Sequence, residues 1–202
     1  MLNQNASLPS QDQIADLGDP HHTSGVLRVF TEQIEKVQDA QVLDLGPVCT
    51  ENIRFFAKRV KRLFVCDMFI RLDSAHRSGL PLRQVWKHLD YPSRNFDGIM
   101  LWDLIDYLDN DEVHHLLDLC HTMLKPRGML LAVVQNQCAV TSKTNSYVVV
   151  GDFGVCLRPQ PHLRLLWRKR HNRALLDIAA PFTPIKWYIY RDGIREILLK
   201  RG

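Results

Sequence analysis

What this chain lacks narrows what it can do. No two of its five cysteines, Cys49, Cys66, Cys120, Cys138 and Cys156, stand at C-x-x-C spacing, so zinc-ribbon and dithiol redox chemistry have no anchor. Their number is odd and their flanks mostly apolar, which reads as small buried thiols in a reducing compartment. Nowhere do eighteen apolar residues run together, and the opening MLNQNASLPSQDQ has neither a basic region nor an apolar stretch. Neither a membrane span nor a secretory leader is expected, and the expected location is the cytoplasm. Charge of one sign is also scarce. The 202 residues carry 26 Lys+Arg against 22 Asp+Glu, and a net of +4 is too mild to name a nucleic-acid partner. The surplus is local, with 11 Lys/Arg against 4 Asp/Glu from Gly151 onward.

What is present points to one α/β domain. Residues 1–24 are polar, hold few large apolar groups and cannot offset their own ordering entropy, so a flexible tail is expected there. Residues 25–202 are long enough for one hydrophobic core. Val26, Leu27, Phe30, Ile34 and Val37 recur at helical spacing behind a cap at Thr23 or Ser24, and that helix should end near Gln38. Short apolar runs then alternate with helical segments, the rhythm of parallel strands joined by crossover helices. Strands are predicted at 41–45, 62–66, 96–102 and 129–134. Thr50 is expected to cap the second helix, whose buried stripe is Ile53, Phe56, Ala57 and Val60, and Asp109 or Asn110 to cap a later one. The segment between Asp67 and Leu89, broken by Gly79 and Pro81, is expected to hold a short helix or strand. Beyond residue 134 the rhythm changes. Residues 146–150 and 154–158 read as a hairpin inserted within about 140–170, a last helix is expected near 172–180, and Asp192-Gly193 is a two-residue hairpin signal between two final strands.

The run Asp44-Leu45-Gly46-Pro47-Val48-Cys49-Thr50 turns from the first strand into a helix, the place where doubly wound sheets hold cofactors. Val48 argues against a dinucleotide, whose pyrophosphate needs a glycine at that position. Asp67 ends the second strand, 23 residues beyond Asp44. Further on come Phe96-Asp97-Gly98-Ile99-Met100-Leu101-Trp102-Asp103-Leu104 and Leu124-Lys125-Pro126-Arg127-Gly128-Met129. Over 41–134 these segments resemble, in order and spacing, the class I S-adenosylmethionine-dependent methyltransferases. In that family an acid and G-x-G-x-G follow strand one, and an L-K-P-G-G turn enters strand five. Asp44 and Gly46 match, whereas Val48 and Thr50 replace the second and third glycines and Arg127 stands where glycine is usual.

The resemblance implies a doubly wound, mostly parallel seven-stranded sheet with an antiparallel C-terminal strand and an inserted β-hairpin after strand five. It also implies S-adenosylmethionine as cofactor, held by Asp44, Gly46, Pro47 and Val48 at the turn and by Asp67 and Met68 at the ribose. Asp90 and Tyr91 would lie near the adenine, and Leu101 and Trp102 at the strand-four tip. Asp103, Tyr147 and Arg158 are candidates to meet the methyl acceptor, while no residue is singled out as catalytic and no metal is expected. The acceptor expected is a small molecule. Alternatives are a methyltransferase-like scaffold without turnover, or a nucleic-acid methyltransferase using the basic arm of Arg164, Arg168, Lys169, Arg170 and Arg173. The inserted hairpin is placed either to cover the acceptor or to pair two subunits in a homodimer. His114, Asp118 and His121 share a helical face that reads as solvated surface.

Overall fold

A computed structural model describes residues 18–135, 144–168, 170, 179–190 and 193–202. The strand–helix alternation is present from the first turn. A short β1 (His22–Thr23) precedes α1 (Gly25–Ile34), whose N-cap is Ser24, its side chain accepting from the Leu27 N–H. The helix stops earlier than its apolar spacing predicts. Its last turn tightens, with Lys36 and Val37 donating to Gln33 and Ile34, and Asp39 takes a positive φ of 55°. Next come β2 (Gln41–Asp44), α2 (Thr50–Ala57), β3 (Arg62–Val65), α3 (Met68–Ser78) and α4 (Arg83–Trp86), the last running on into a 3₁₀ turn over 87–89. Then follow β4 (Phe96–Trp102), α5 (Asn110–Met123), β5 (Leu124–Gln135), β6 (Asn145–Val150), β7 (Gly154–Pro159), β8 (Phe182–Ile189) and β9 (Ile194–Arg201). The helix predicted near 172–180 falls almost wholly outside the described residues, as do Cys138 and Asp192.

Six strands form the main sheet, in the order β3-β2-β4-β5-β9-β8. The first four are parallel, and β9 runs antiparallel to both β5 and β8. The seven-stranded sheet expected from the resemblance is thus six-stranded among the described residues, because no strand lies beside β3. Val85, Trp86 and Leu89 pack at helical spacing into the core with α3, so the 80–89 segment winds up instead of extending. A second sheet of three strands, β1-β7-β6, contains the predicted hairpin. His22 and Thr23, assigned by composition to a tail, pair with Val155 and Gly154 of β7.

Helices cover both faces of the sheet, which makes the domain doubly wound. On β5, Leu130, Ala132 and Val134 face α3 and α5 while Met129, Leu131 and Val133 face α1 and the hairpin. That is the period-two alternation of a strand buried on both sides. α5 is fixed by a capping box in which Asp109 and Glu112 exchange side-chain and backbone hydrogen bonds. α2 is turned from its predicted stripe: Asn52 and Phe56 are buried and Ala57 is exposed, and Cys49, not Thr50, is the N-cap. Asn52 faces inward because the hairpin lies on that side, where its amide donates to the Tyr147 carbonyl (2.7 Å) and accepts from the Val149 N–H (2.8 Å).

The β8–β9 connection is wider than two residues. Gly193 (φ 86°) donates to the Tyr190 carbonyl, and the Tyr190 N–H donates to the Ile194 carbonyl. On the outer edge, β8 is bulged between Pro184 and Lys186. The four described cysteines are all free and buried.

Candidate functional site at the carboxyl ends of β2, β3 and β4

Parallel order β3-β2-β4 means that the chain leaves β2 to one side and returns on the other. The crevice outside the carboxyl ends of β2 and β4 is therefore the topological switch point, where open α/β sheets bind ligands. Asp44 ends β2 there, wholly buried. Its Oδ1 accepts from the Gly46 N–H (2.9 Å) and from the Trp102 indole N–H (2.8 Å). Burial pushes its carboxyl up to about 6 despite those two bonds, with the nearby Asp67 adding to the rise.

Asp67 sits at the end of β3 as the N-cap of α3. One oxygen accepts from Ile70 N–H and the other from Val48 N–H, both at 3.0 Å. The carboxylate is half-buried and each oxygen keeps a lone pair, so two hydroxyl donors can still be received. The link to Val48 joins the two strand tips. Val48 lies outside the positive-φ residues and is 61% exposed, so the residue standing for a glycine needs no left-handed backbone here. Pro47 is buried at the same turn.

The other predicted contacts are distributed unevenly. Met68 and Leu101 are fully buried in the core of the α3–α5 side. Tyr91 is half-buried and packs edge-to-face on Phe64 and Phe96, while its neighbour Asp90 is exposed. Arg158 is bound to Glu51 of α2 at 2.5 Å, an ion pair that holds the Glu51 carboxyl down near 2. Tyr147 of β6 is buried and stacks on Trp102, with ring centroids 5.8 Å apart and 12° between planes. The hairpin thus reaches the switch point through one aromatic pair.

Asp103 is buried just beyond β4. Its Oδ2 receives Gln135 Nε2 (3.0 Å) and the hydroxyls of Tyr107 and Tyr147 (both 3.4 Å), and Oδ1 has no partner among the described residues. Burial pushes this carboxyl up to about 7. Three residues on, Asp106 is also raised by burial and accepts from the Gln135 N–H (2.7 Å). Sequence reasoning did not select Asp106, Tyr107 or Gln135; the pair Asp103 and Asp106 inside an apolar run was the available signal.

The basic arm is less free than its composition suggests. Arg170 is buried, donating to the carbonyls of Ile105 and Leu108 and to Asn110 Oδ1, while Lys169 and Arg173 lie outside the described residues. Among the described residues no cluster of His, Cys, Asp and Glu fits a metal ion, and no helix is long and apolar enough to cross a membrane.

Solved structures share this fold. A methyltransferase from Clostridium acetobutylicum superposes with a TM-score of 0.59 at 12% identity, covering 88% of this chain and 89% of its own. The fold is that of the class I S-adenosylmethionine-dependent methyltransferases. A Mesorhizobium loti member gives 0.56 at 11% identity, over 88% of this chain and 98% of its own. The 1,6-didemethyltoxoflavin-N1-methyltransferase of Burkholderia thailandensis, solved with 1,6-didemethyltoxoflavin and S-adenosylhomocysteine, gives 0.51 at 15%, over 98% and 93%. No protein-family model and no curated protein sequence matches the chain.

One departure from the family pattern, Arg127, and one match, Gly46, acquire a structural reason. Arg127 adopts a φ of 67°, the left-handed region in which glycine is unstrained, so the usual glycine there serves the turn and Arg127 bears the strain. Gly46 is demanded by its own neighbour: a Cβ at this position would lie 2.7 Å from Trp102 Nε1 and nearer still to Cδ1.

Proposed function

We propose that this protein binds S-adenosylmethionine at the β2–β3–β4 tips and transfers its methyl group to a small-molecule acceptor. The observation that carries the reading is Asp67, a half-buried carboxylate with free lone pairs at the end of β3, joined through Val48 to the Asp44–Gly46 turn. This chemistry suits a ribose, whose two hydroxyls both donate. Tyr91 and Asp90 follow the 3₁₀ turn on the adenine side, and Met68 and Leu101 act from the core as supports. When bound, the cofactor supplies a methyl group already activated on a sulfonium.

The chain's own residues then align the acceptor, exclude water and move one proton. Asp103 is suited to the proton. A carboxyl with its titration near neutrality and one oxygen unengaged can take a proton from an acceptor N–H or O–H as the new bond forms. Tyr147 and Gln135 hold the carboxylate in place. Arg158 acts on this reading through Glu51, anchoring the hairpin to α2. A small-molecule acceptor suits the Burkholderia neighbour's bound substrate. The proposed compartment is the cytoplasm.

Calorimetric titration with S-adenosylhomocysteine tests the cofactor assignment. Binding is expected to the parent and to be weakened about 10- to 100-fold in Asp67→Ala, the scale of losing charge-assisted hydrogen bonds. Equal affinity in both proteins, with unchanged melting, removes Asp67 from the site.

A further inference from the structure

Trp102 combines four features that the methyltransferase reading leaves unexplained. It closes β4 with a φ of 51°, a left-handed conformation that is strained for a bulky aromatic residue. Its indole N–H is bound to the buried Asp44 at 2.8 Å. Its ring lies so close over Gly46 that no side chain could stand there. Its outer face is stacked on Tyr147 of the hairpin, and the residue is only 3% exposed. A ring in this position fills the crevice between the tips of β2 and β4, where the fold receives a ligand. Asp67, two strand tips away from β4, is left half-exposed.

We propose that Trp102 is a gate in the cofactor site: its indole occupies the space over Gly46 that the methionyl half of the cofactor requires, and binding displaces it. The proposal rests on the cofactor reading above and deepens it. The two halves of the site then differ. The ribose end around Asp67 is open in the seated state, whereas the end over Gly46 opens only when the indole leaves Asp44 and Tyr147. Relief of the left-handed backbone at Trp102 favours the move, and loss of the Asp44 bond and the Tyr147 stack opposes it. Displacement uncovers the Asp44 carboxylate, which is held in a dry environment while the ring is seated. Because Tyr147 belongs to β6, the hairpin sets how firmly the gate is closed.

A seated gate lowers apparent affinity by the fraction of molecules in which it is open. A minor open state of about 1–10% corresponds to a 10- to 100-fold reduction. Removing the ring should return that factor, and only for ligands that carry the methionyl portion. The test is calorimetric titration of parent and Trp102→Ala with S-adenosylhomocysteine and, separately, with adenosine. The gate predicts at least about tenfold tighter binding of S-adenosylhomocysteine by Trp102→Ala and equal adenosine binding by both proteins. Unchanged or weaker S-adenosylhomocysteine binding, with adenosine retained, overturns the gate and leaves the cofactor reading standing. Weaker S-adenosylmethionine but unchanged S-adenosylhomocysteine would instead make Trp102 a seated ring that holds the sulfonium by its π-face. If neither ligand binds either protein at millimolar concentration, the cofactor reading falls and the gate with it.

Should Trp102→Ala fail to fold, the indole itself reports. Titrating the parent with S-adenosylhomocysteine should shift its tryptophan emission saturably to the red, adenosine should not, and Trp102→Phe should lack the shift. A parent emission unmoved by saturating S-adenosylhomocysteine means that the ring stays seated and the proposal is wrong.

Discussion

At the scale of single residues, the buried acids make the stability of this protein depend on pH in an unusual direction. Asp103 and Asp44 titrate near 7 and 6, above the ordinary carboxyl value near 4, so the folded state holds protons that the unfolded chain has released. Their contribution to stability is complete below about pH 4 and is lost as pH rises through 6 and 7. Asp103→Asn removes one such proton-linked cost. It is expected to stabilise the protein at pH 8 by an amount on the order of 2–4 kcal/mol, and to do little at pH 4.5. Urea melts at the two pH values measure this, and an equal effect at both would show that the Asp103 carboxyl is not the titrating group. Gly46→Ala is expected to cost about 1–3 kcal/mol by forcing its new methyl into the Trp102 ring. Combining it with Trp102→Ala should recover most of that loss, because the clash needs both partners.

At the scale of elements, the hairpin proves to be part of the core. Tyr147, Val149 and Val155 are buried with α1 and β5 residues, and Asn52 satisfies two backbone groups of β6 at once. Deleting residues 146–161 is therefore expected to unfold the domain, seen as a lost cooperative melt. Asn52→Ala leaves a carbonyl and an N–H buried without partners, at about 1–3 kcal/mol each, and should speed hydrogen exchange at the Val149 amide first. The elements that local chemistry specifies were legible in the sequence. A cap at Asp109 or Asn110 announces α5, one at Thr23 or Ser24 announces α1, and the unbroken apolar run 96–102 announces a central strand. Asn52 was not legible, since its burial is decided by a hairpin almost a hundred residues away. The same holds for His22 and Ser24, whose side chains meet Glu196 at 2.8 and 2.7 Å and draw the end of an apparent tail into the fold. Within the candidate site, the positions of Asp44 and Asp67 at strand ends followed from spacing. The seat of the Trp102 indole depends on one backbone angle and one long-range bond, neither of which leaves a mark in the pattern.

At the scale of the whole molecule, the succession of parallel strands is legible from the βα rhythm, whereas their order across the sheet, which sets the switch point, is seen only in the fold. The missing strand beside β3 is not legible either, because Val85, Trp86 and Leu89 suit a buried helix face as well as a short strand. The opposite margin of the sheet is formed by β8, with Ile185, Tyr188 and Ile189 all exposed along it. Such a row ordinarily invites another chain to add a strand. Pro184 withholds a backbone donor, the bulge beside it breaks the register, and Lys186 sets a charge in the middle. These three features are expected to give the irregular margin a colloidal role, opposing edge-to-edge association in concentrated solution. Replacing Pro184 and Lys186 together by valine should leave the thermal midpoint within a few degrees of the parent. Light scattering on incubation well below that midpoint should nevertheless climb with concentration, as neighbouring molecules zip together edge to edge.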